Sequence, residues 1–193
     1  VFSMFSIADF YSNVDEVREF AMQQEFHEEP GHFPGKRTVP FLNDGTKQLV
    51  QDIVRPLCGD VLWWGGKDSG VFQYTTAQDR SWIHSDGTTN WAGIIYLTPD
   101  APLSAGTGIF RHKASGLKRW VHSEHTKEEN DIWSNTYADH FDYTKWDMVD
   151  RIGNVYNRLI LYRGDLFHVS LDYFGNNIND RRLFQPFFFH RSL

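Results

Sequence analysis

Cysteine is nearly absent. Cys58 stands alone, so no disulfide can form within the chain, and a reducing, cytoplasmic setting is expected. No apolar run approaches the roughly 18 residues that a membrane-spanning helix needs, so no membrane partner is expected. The opening "VFSMFSIADF" has no basic stretch ahead of an apolar one and is not read as a signal peptide. Positive charge is in deficit: 19 Lys and Arg stand against 25 Asp and Glu, a formal net charge of −6. That excludes the basic footprint of a nucleic-acid binder. There is no internal repeat, no low-complexity tract and no linker-like stretch. The 193 residues therefore read as a single domain, long enough to bury a large core.

Aromatic residues are abundant. Sixteen Phe, eight Tyr and seven Trp make up 16% of the chain, which predicts an aromatic-rich core and an aromatic-lined pocket.

Residues 1–10 alternate loosely and predict a first strand. Asn13 followed by Glu16 has the capping-box pattern, and Val17, Phe20 and Ala21 follow at helical spacing, predicting a helix over 14–25. "EEPGHFPGKRTVPF" is dense in Pro and Gly and reads as a long loop, and its "HFPGKRTVPF" part is a candidate border of an active-site mouth. Leu49, Val50, Ile53, Val54 and Leu57 mark a second amphipathic helix. From residue 70 the texture changes. "GVFQYTT", "SWIHSD", "WAGIIYLT", "GTGIFRH", "RLILYRG", "DLFHVSL" and "RRLFQPFFFH" are short, aromatic or β-branched runs between turn residues. Strands in series without intervening helices predict a mainly β (α+β) jelly roll with the N-terminal helices packed on one sheet. Residues 1–69 would form helical support and 70–190 the jelly-roll core. Residues 113–157, rich in charge and Trp, would be a long insertion of short helices and loops, the kind of segment that often carries binding function.

The chemistry concentrates in "WIHSDG". On a strand, His84 and Asp86 would point to the same face. The pattern alone is also that of a surface His–Asp pair. His168 lies between Phe167 and Val169, where it is either a hydrogen-bonded core histidine or a third ligand from a distant strand. Two histidines and a carboxylate form a facial triad that leaves coordination positions open, suited to Fe(II) and O2. Downstream, Arg181 and Arg182 open an apolar strand. One of them would point inward, where a guanidinium needs a carboxylate, such as that of a bound dicarboxylic acid.

This order of residues resembles the Fe(II)/2-oxoglutarate-dependent dioxygenases, in particular the prolyl-4-hydroxylase-like branch. "GIIYLTP" is similar to the family's aromatic-Leu-Asn strand, "AGTGIF" to its Gly-Gly turn, and Tyr74 stands ten residues before His84, as a cosubstrate-binding tyrosine does in that branch. The resemblance covers roughly residues 70–190. It implies a double-stranded β-helix, with His84, Asp86 and His168 as iron ligands and catalytic centre. It also implies that 2-oxoglutarate chelates the iron and reaches Arg182, with Tyr74 or Tyr96 donating a hydroxyl. Asp86 favours hydroxylation over halogenation, because related halogenases lack that carboxylate. The arginine lies further from the distal histidine than the branch's pattern, so Arg181 and Arg182 remain alternatives, and Arg182 fits the Arg-Leu-x-x-x-Phe-Phe pattern. Pro186, which cannot donate to a ladder, is expected at an edge or bulge.

Trp82, Arg80 and Asn90 are candidates for the substrate wall, and the partner would be a small-molecule or peptidyl substrate. His122 and His125 form an H-x-x-H without a third ligand nearby, and read as solvated histidines. "RHKASGLKRW" is a basic patch, either a solvated loop or a guide for an anionic substrate. Two rivals stand beside the dioxygenase: a non-catalytic jelly-roll binding module, and a cupin-like metalloenzyme that uses no 2-oxoglutarate.

Overall fold

The computed structural model describes residues 3–28, 33–87, 89–120, 125–177 and 179–191. In chain order the elements are β1 (Met4–Ile7), α1 (Val14–Met22), β2 (Lys36–Pro40), α2 (Asp44–Cys58), β3 (Val61–Trp64), β4 (Val71–Thr75), β5 (Trp91–Tyr96), β6 (Thr107–His112), α3 (Lys127–Ala138), β7 (Trp146–Ile152), β8 (Leu159–Arg163), β9 (His168–Ser170) and β10 (Arg182–Arg191).

Alternation along the strands builds two faces. On β10, Leu183, Phe187 and Phe189 join the cluster that holds Val50 and Val54 of α2 and Ala21 of α1. Phe184 and Phe188 instead join Ala92, Ile94, Ile160 and Tyr162. β5 and β8 obey the same parity, with Ile95, Leu159 and Leu161 on the helix side. One sheet is thus buried on both faces. Burying each such side chain contributes about 1.5–3 kcal/mol, which explains the near-continuous apolar runs.

That sheet has seven antiparallel strands in the order β1-β8-β5-β10-β4-β2, with β3 also paired to β10. Three strands, β7-β6-β9, form the facing sheet. The result is a jelly roll, with α1 and α2 packed outside the larger sheet as the sequence predicts. A third cluster, with Ile83, Phe110, Trp120, Trp146 and Phe167, lies under α3, whose Trp133 packs on it. Among the described residues, no helix is long and apolar enough to cross a membrane.

Several local expectations are corrected. Residues 81–86 do not form a strand; a single bridge joins His84 to His168. The neighbouring amides of Ile83 and Asp86 bond instead to His140 O and Gly164 O, from different segments, so no continuous ladder forms. Lys36–Pro40, read as loop because Pro and Gly flank it, is β2. Residues 1–69 are not only helical support, since they supply β1, β2 and β3 to the large sheet. The insertion is not only helices and loops, since it contains β7, which pairs along β6. Pro186 lies on the central strand rather than at an edge. There β10 changes partner from β4, paired at Arg182–Phe184, to β3, paired from Phe189. In the gap Gly70 N donates to Pro186 O at 2.7 Å, so no ladder amide is missing where proline stands.

Candidate active site

His168 opens β9 and faces the space between the sheets, 5% exposed. Reciprocal backbone bonds tie it to His84: His84 N donates to His168 O at 3.0 Å, and His168 N to His84 O at 2.8 Å. The two imidazoles stand side by side, ring centroids 4.5 Å apart. Nδ1 of His84 lies 2.8 Å from Trp82 O, and Nδ1 of His168 lies 2.9 Å from Leu166 O. A carbonyl oxygen only accepts, so both Nδ1 atoms carry the proton and both Nε2 atoms present a lone pair. The backbone carbonyl behind each ring fixes tautomer and orientation, as metal-binding histidines require. Burial pushes the His168 imidazole down to about 4, partly opposed by the charge of Asp86, so it is neutral at neutral pH.

Asp86 completes the group. Its Oδ1 lies 3.7 Å from His84 Nε2 and its Oδ2 3.5 Å from His168 Nε2. The three residues offer ligand atoms that all lie within 4.8 Å of one another. Ligands about 2.1 Å from one ion stand roughly 3–4 Å apart around it, so the residues present fit a divalent metal. Among the described residues, no other group of three such side chains comes together this way.

A cavity of about 170 Å³ runs from this triad between the sheets, past Ile94 and Tyr162, to Thr107, Ser170 and Phe184. Tyr162 packs its ring 4.7 Å from that of His168, and Tyr96 shares a 2.8 Å hydrogen bond between its hydroxyl and Thr107 Oγ1. Burial raises the pKa of both phenols, so both stay protonated. Beyond them lies Arg182, wholly buried. Its guanidinium sits 4.6 Å from the Phe184 ring centroid and 5.7 Å from that of Tyr96, and Nε donates to Ala105 O at 3.1 Å. Nη1 and Nη2 have no partner. A desolvated cation with both ends of its fork free is costly, and a carboxylate is the group that would satisfy it in a bidentate pair.

A profile of the family of unknown function DUF6445 matches residues 3–172. The chain belongs to that family. No curated protein matches the sequence. Solved structures do match in fold. HygX from Streptomyces hygroscopicus, with nickel, 2-oxoglutarate and hygromycin B bound, aligns with a TM-score of 0.57 and 11% identity over 99% of this chain and 84% of that one. A prolyl-4-hydroxylase from Pseudomonas putida gives 0.52 and 14% over 99% and 94%. A prolyl hydroxylase from Trichoplax adhaerens, in complex with a peptide fragment of hypoxia inducible factor, gives 0.55 and 11% over 97% and 83%. The fold of this DUF6445 member is therefore that of the iron- and 2-oxoglutarate-dependent oxygenases.

Not every candidate residue reaches the cavity. Tyr74 pairs across the ladder with Leu183 and shares its helix-side face. It lies beneath Arg181, whose guanidinium is 3.7 Å from the Tyr74 ring centroid and 4.7 Å from that of Phe26. Tyr74 and Arg181 are thus placed together on the far side of the sheet from the triad. Trp82 lines the cavity, with its ring 5.8 Å from that of His84. Arg80 is exposed and folds back onto the carbonyls of Ala77 and Asp79. Asn90 is exposed, and its carbonyl accepts from Gly164 N. Neither lines the cavity, because residues 81–86 form no regular strand that would set their phase to His84. Of "HFPGKRTVPF", Phe33, Pro34 and Arg37 line the cavity. His122 lies outside the described residues, and the His125 ring lies tilted against Trp120, ring centroids 4.3 Å apart.

The sequence reading missed Gln73 and Tyr162, which line the cavity. Gln73 faces inward because it pairs with Phe184. Once that register is known, parity excludes Tyr74 and selects Gln73; without it nothing separates the two.

Proposed function

We propose that this chain is an Fe(II)- and 2-oxoglutarate-dependent dioxygenase, folded as one domain over 1–193, that hydroxylates a C–H bond of a peptidyl, amino-acid or small-molecule substrate. The observation that carries the reading is a three-ligand His–Asp–His face on a cavity between the sheets, together with a buried guanidinium packed on the cavity residue Phe184 whose two Nη atoms have no partner. The nickel and 2-oxoglutarate bound in HygX support the same pairing of ligands.

His84, Asp86 and His168 would hold Fe(II), and Arg182 would receive the far carboxylate of 2-oxoglutarate. Bound there, iron with 2-oxoglutarate would supply the O2 activation needed for hydroxylation, with succinate and CO2 as the other products. The protein's share is to hold each Nε2 lone pair on the metal through Trp82 O and Leu166 O, and to exclude water. It must also bring substrate to the open side. A groove of about 420 Å³ outside Asp86 is lined by Phe33, Trp63 and Phe188, with Asp68, Ser85 and Thr89. The side-chain oxygens of Ser85 and Thr89 are buried without partners. This groove is the substrate's approach, with apolar rings for its faces and hydroxyls for its polar groups.

The test is to add Fe(II) and then 2-oxoglutarate to the protein without oxygen, and to record the visible spectrum. A weak charge-transfer band that is absent in His84→Ala is the expected result. Metal binding with no band would favour a cupin-like enzyme that uses no 2-oxoglutarate. Absence of metal binding would leave a jelly-roll binding module.

A further inference from the structure

The turn between β8 and β9, residues 163–166, carries two carbonyls that serve the metal ligands. Leu166 O lies 2.9 Å from His168 Nδ1 and fixes that ring. Gly164 O accepts from the amide of Asp86 at 2.7 Å. Two ligands from distant parts of the chain are thus set by one short turn. The third follows them, because the backbone of His84 is paired with that of His168. Asp165 stands between the two carbonyls, 6% exposed. Its carboxylate folds back on the turn and accepts from Arg163 Nε at 3.0 Å and Nη2 at 2.6 Å. Arg119 Nη1 stands further off, at 3.9 Å. The backbone oxygen of Asp165 accepts from Trp120 N at 2.8 Å. A solvated ion pair would contribute little, but the Asp165 side chain is only 8% exposed against 31% for Arg163. A bidentate pair of this kind fixes geometry as well as contributing energy. On its other side the turn is packed closely. Gly164 N donates to Asn90 O at 3.0 Å, and a Cβ at Gly164 would collide with the Thr89 carbonyl.

Resting on the reading of His84, Asp86 and His168 as metal ligands, we propose that Asp165 is a positioning residue for that metal. Through its pair with Arg163 it holds the turn so that Leu166 O and Gly164 O aim His168 and Asp86 at one ion. Asp165 is not one of the three ligands and acts only through the backbone behind them. Its removal leaves every ligand in the chain but frees the turn to swing both carbonyls. A site that must hold its ligands to about 0.5 Å does not tolerate that freedom.

The experiment is calorimetric titration of the full chain with Ni(II), paired with the visible spectrum of the Co(II)-loaded protein, whose bands report ligand geometry. The proteins compared are the parent, Asp165→Ala, Asp165→Asn and, as a control, Phe187→Ala. Groups that orient metal ligands are typically worth 10–100-fold in metal affinity. Asp165→Ala should therefore weaken Ni(II) binding about tenfold or more and shift the Co(II) bands. Asp165→Asn keeps the shape and one acceptor oxygen for Arg163, and should lose less. Phe187→Ala, destabilised from the far face of the large sheet, should bind Ni(II) as the parent does. Parent-like affinity and bands in Asp165→Ala overturn the assignment and leave the triad intact. An equal loss in Phe187→Ala overturns it too, since that would report the stability of the fold alone. If the parent binds no metal, the triad reading itself fails. Should Asp165→Ala not fold, Asp165→Asn decides: a weaker Ni(II) site with shifted bands upholds the assignment, and parent-like behaviour overturns it.

Discussion

Arg181 and Arg182 are neighbours in sequence and leave the sheet on opposite faces. Arg181 lies over Tyr74 on the helix side, while Arg182 enters the space between the sheets with two Nη atoms unpartnered. Their replacements should therefore separate cleanly. Arg182→Ala should weaken 2-oxoglutarate binding at least tenfold, since it removes a bidentate charged pair. Arg181→Ala should leave that affinity within about twofold and instead cost roughly 1 kcal/mol of stability, the scale of a partly buried cation–π contact. Titration calorimetry and denaturant unfolding of both variants make the comparison.

Tyr74→Phe is the companion test. With the ring kept under Arg181, stability and 2-oxoglutarate affinity should both stay close to those of the parent. A large loss of affinity would mean that Tyr74 reaches the ligand after all, against its pairing with Leu183.

Alanine at His84, Asp86 or His168 should abolish stoichiometric divalent metal binding, measured by elemental analysis after dialysis. The secondary structure seen by circular dichroism should be preserved. The triad sits at the edge of the β6–β9 ladder rather than in the large sheet's core, so the fold does not depend on its side chains.

The metal-free protein should lose stability in acid through His168. Its folded pKa is depressed to about 4 from the ordinary 6.5, with burial the largest cause. A depressed folded pKa means that the unfolded chain binds the proton more readily. The contribution is complete above the unfolded value and drains away as pH falls from about 6.5 toward 4. Urea midpoints across this window should fall for the parent. They should fall less steeply for His168→Gln, which keeps a polar side chain but cannot titrate.

Phe187→Ala tests the other side of the sheet. Phe187 is wholly buried in the helix-facing cluster, so truncation should cost about 3–5 kcal/mol. Metal binding by the folded fraction should remain, because Phe187 and the triad lie on opposite faces.

Much of this molecule is legible in its sequence because burial on two faces writes long apolar strands. "WAGIIYLT", "RLILYRG" and "RRLFQPFFFH" are the three adjacent strands β5, β8 and β10, and the helices declare themselves by spacing. The triad was readable because its three residue types have few reasons to share a site. What escaped depended on partners far along the chain. β2 and β3 are short, and they gain their strand geometry from β4 and β10 rather than from their own composition. The inward choice of Gln73 over Tyr74 depends on register against Phe184, which no local pattern encodes. Arg80 and Asn90 were lost with the regular strand expected for residues 81–86.

The paired amides of His84 and His168 also have a meaning outside the chemistry. They form a one-rung clasp that holds residues 81–86 to the small sheet. Two histidines thus close a seam in the wall of the barrel while their side chains define its contents. Hydrogen exchange at those two amides would report how often the wall opens.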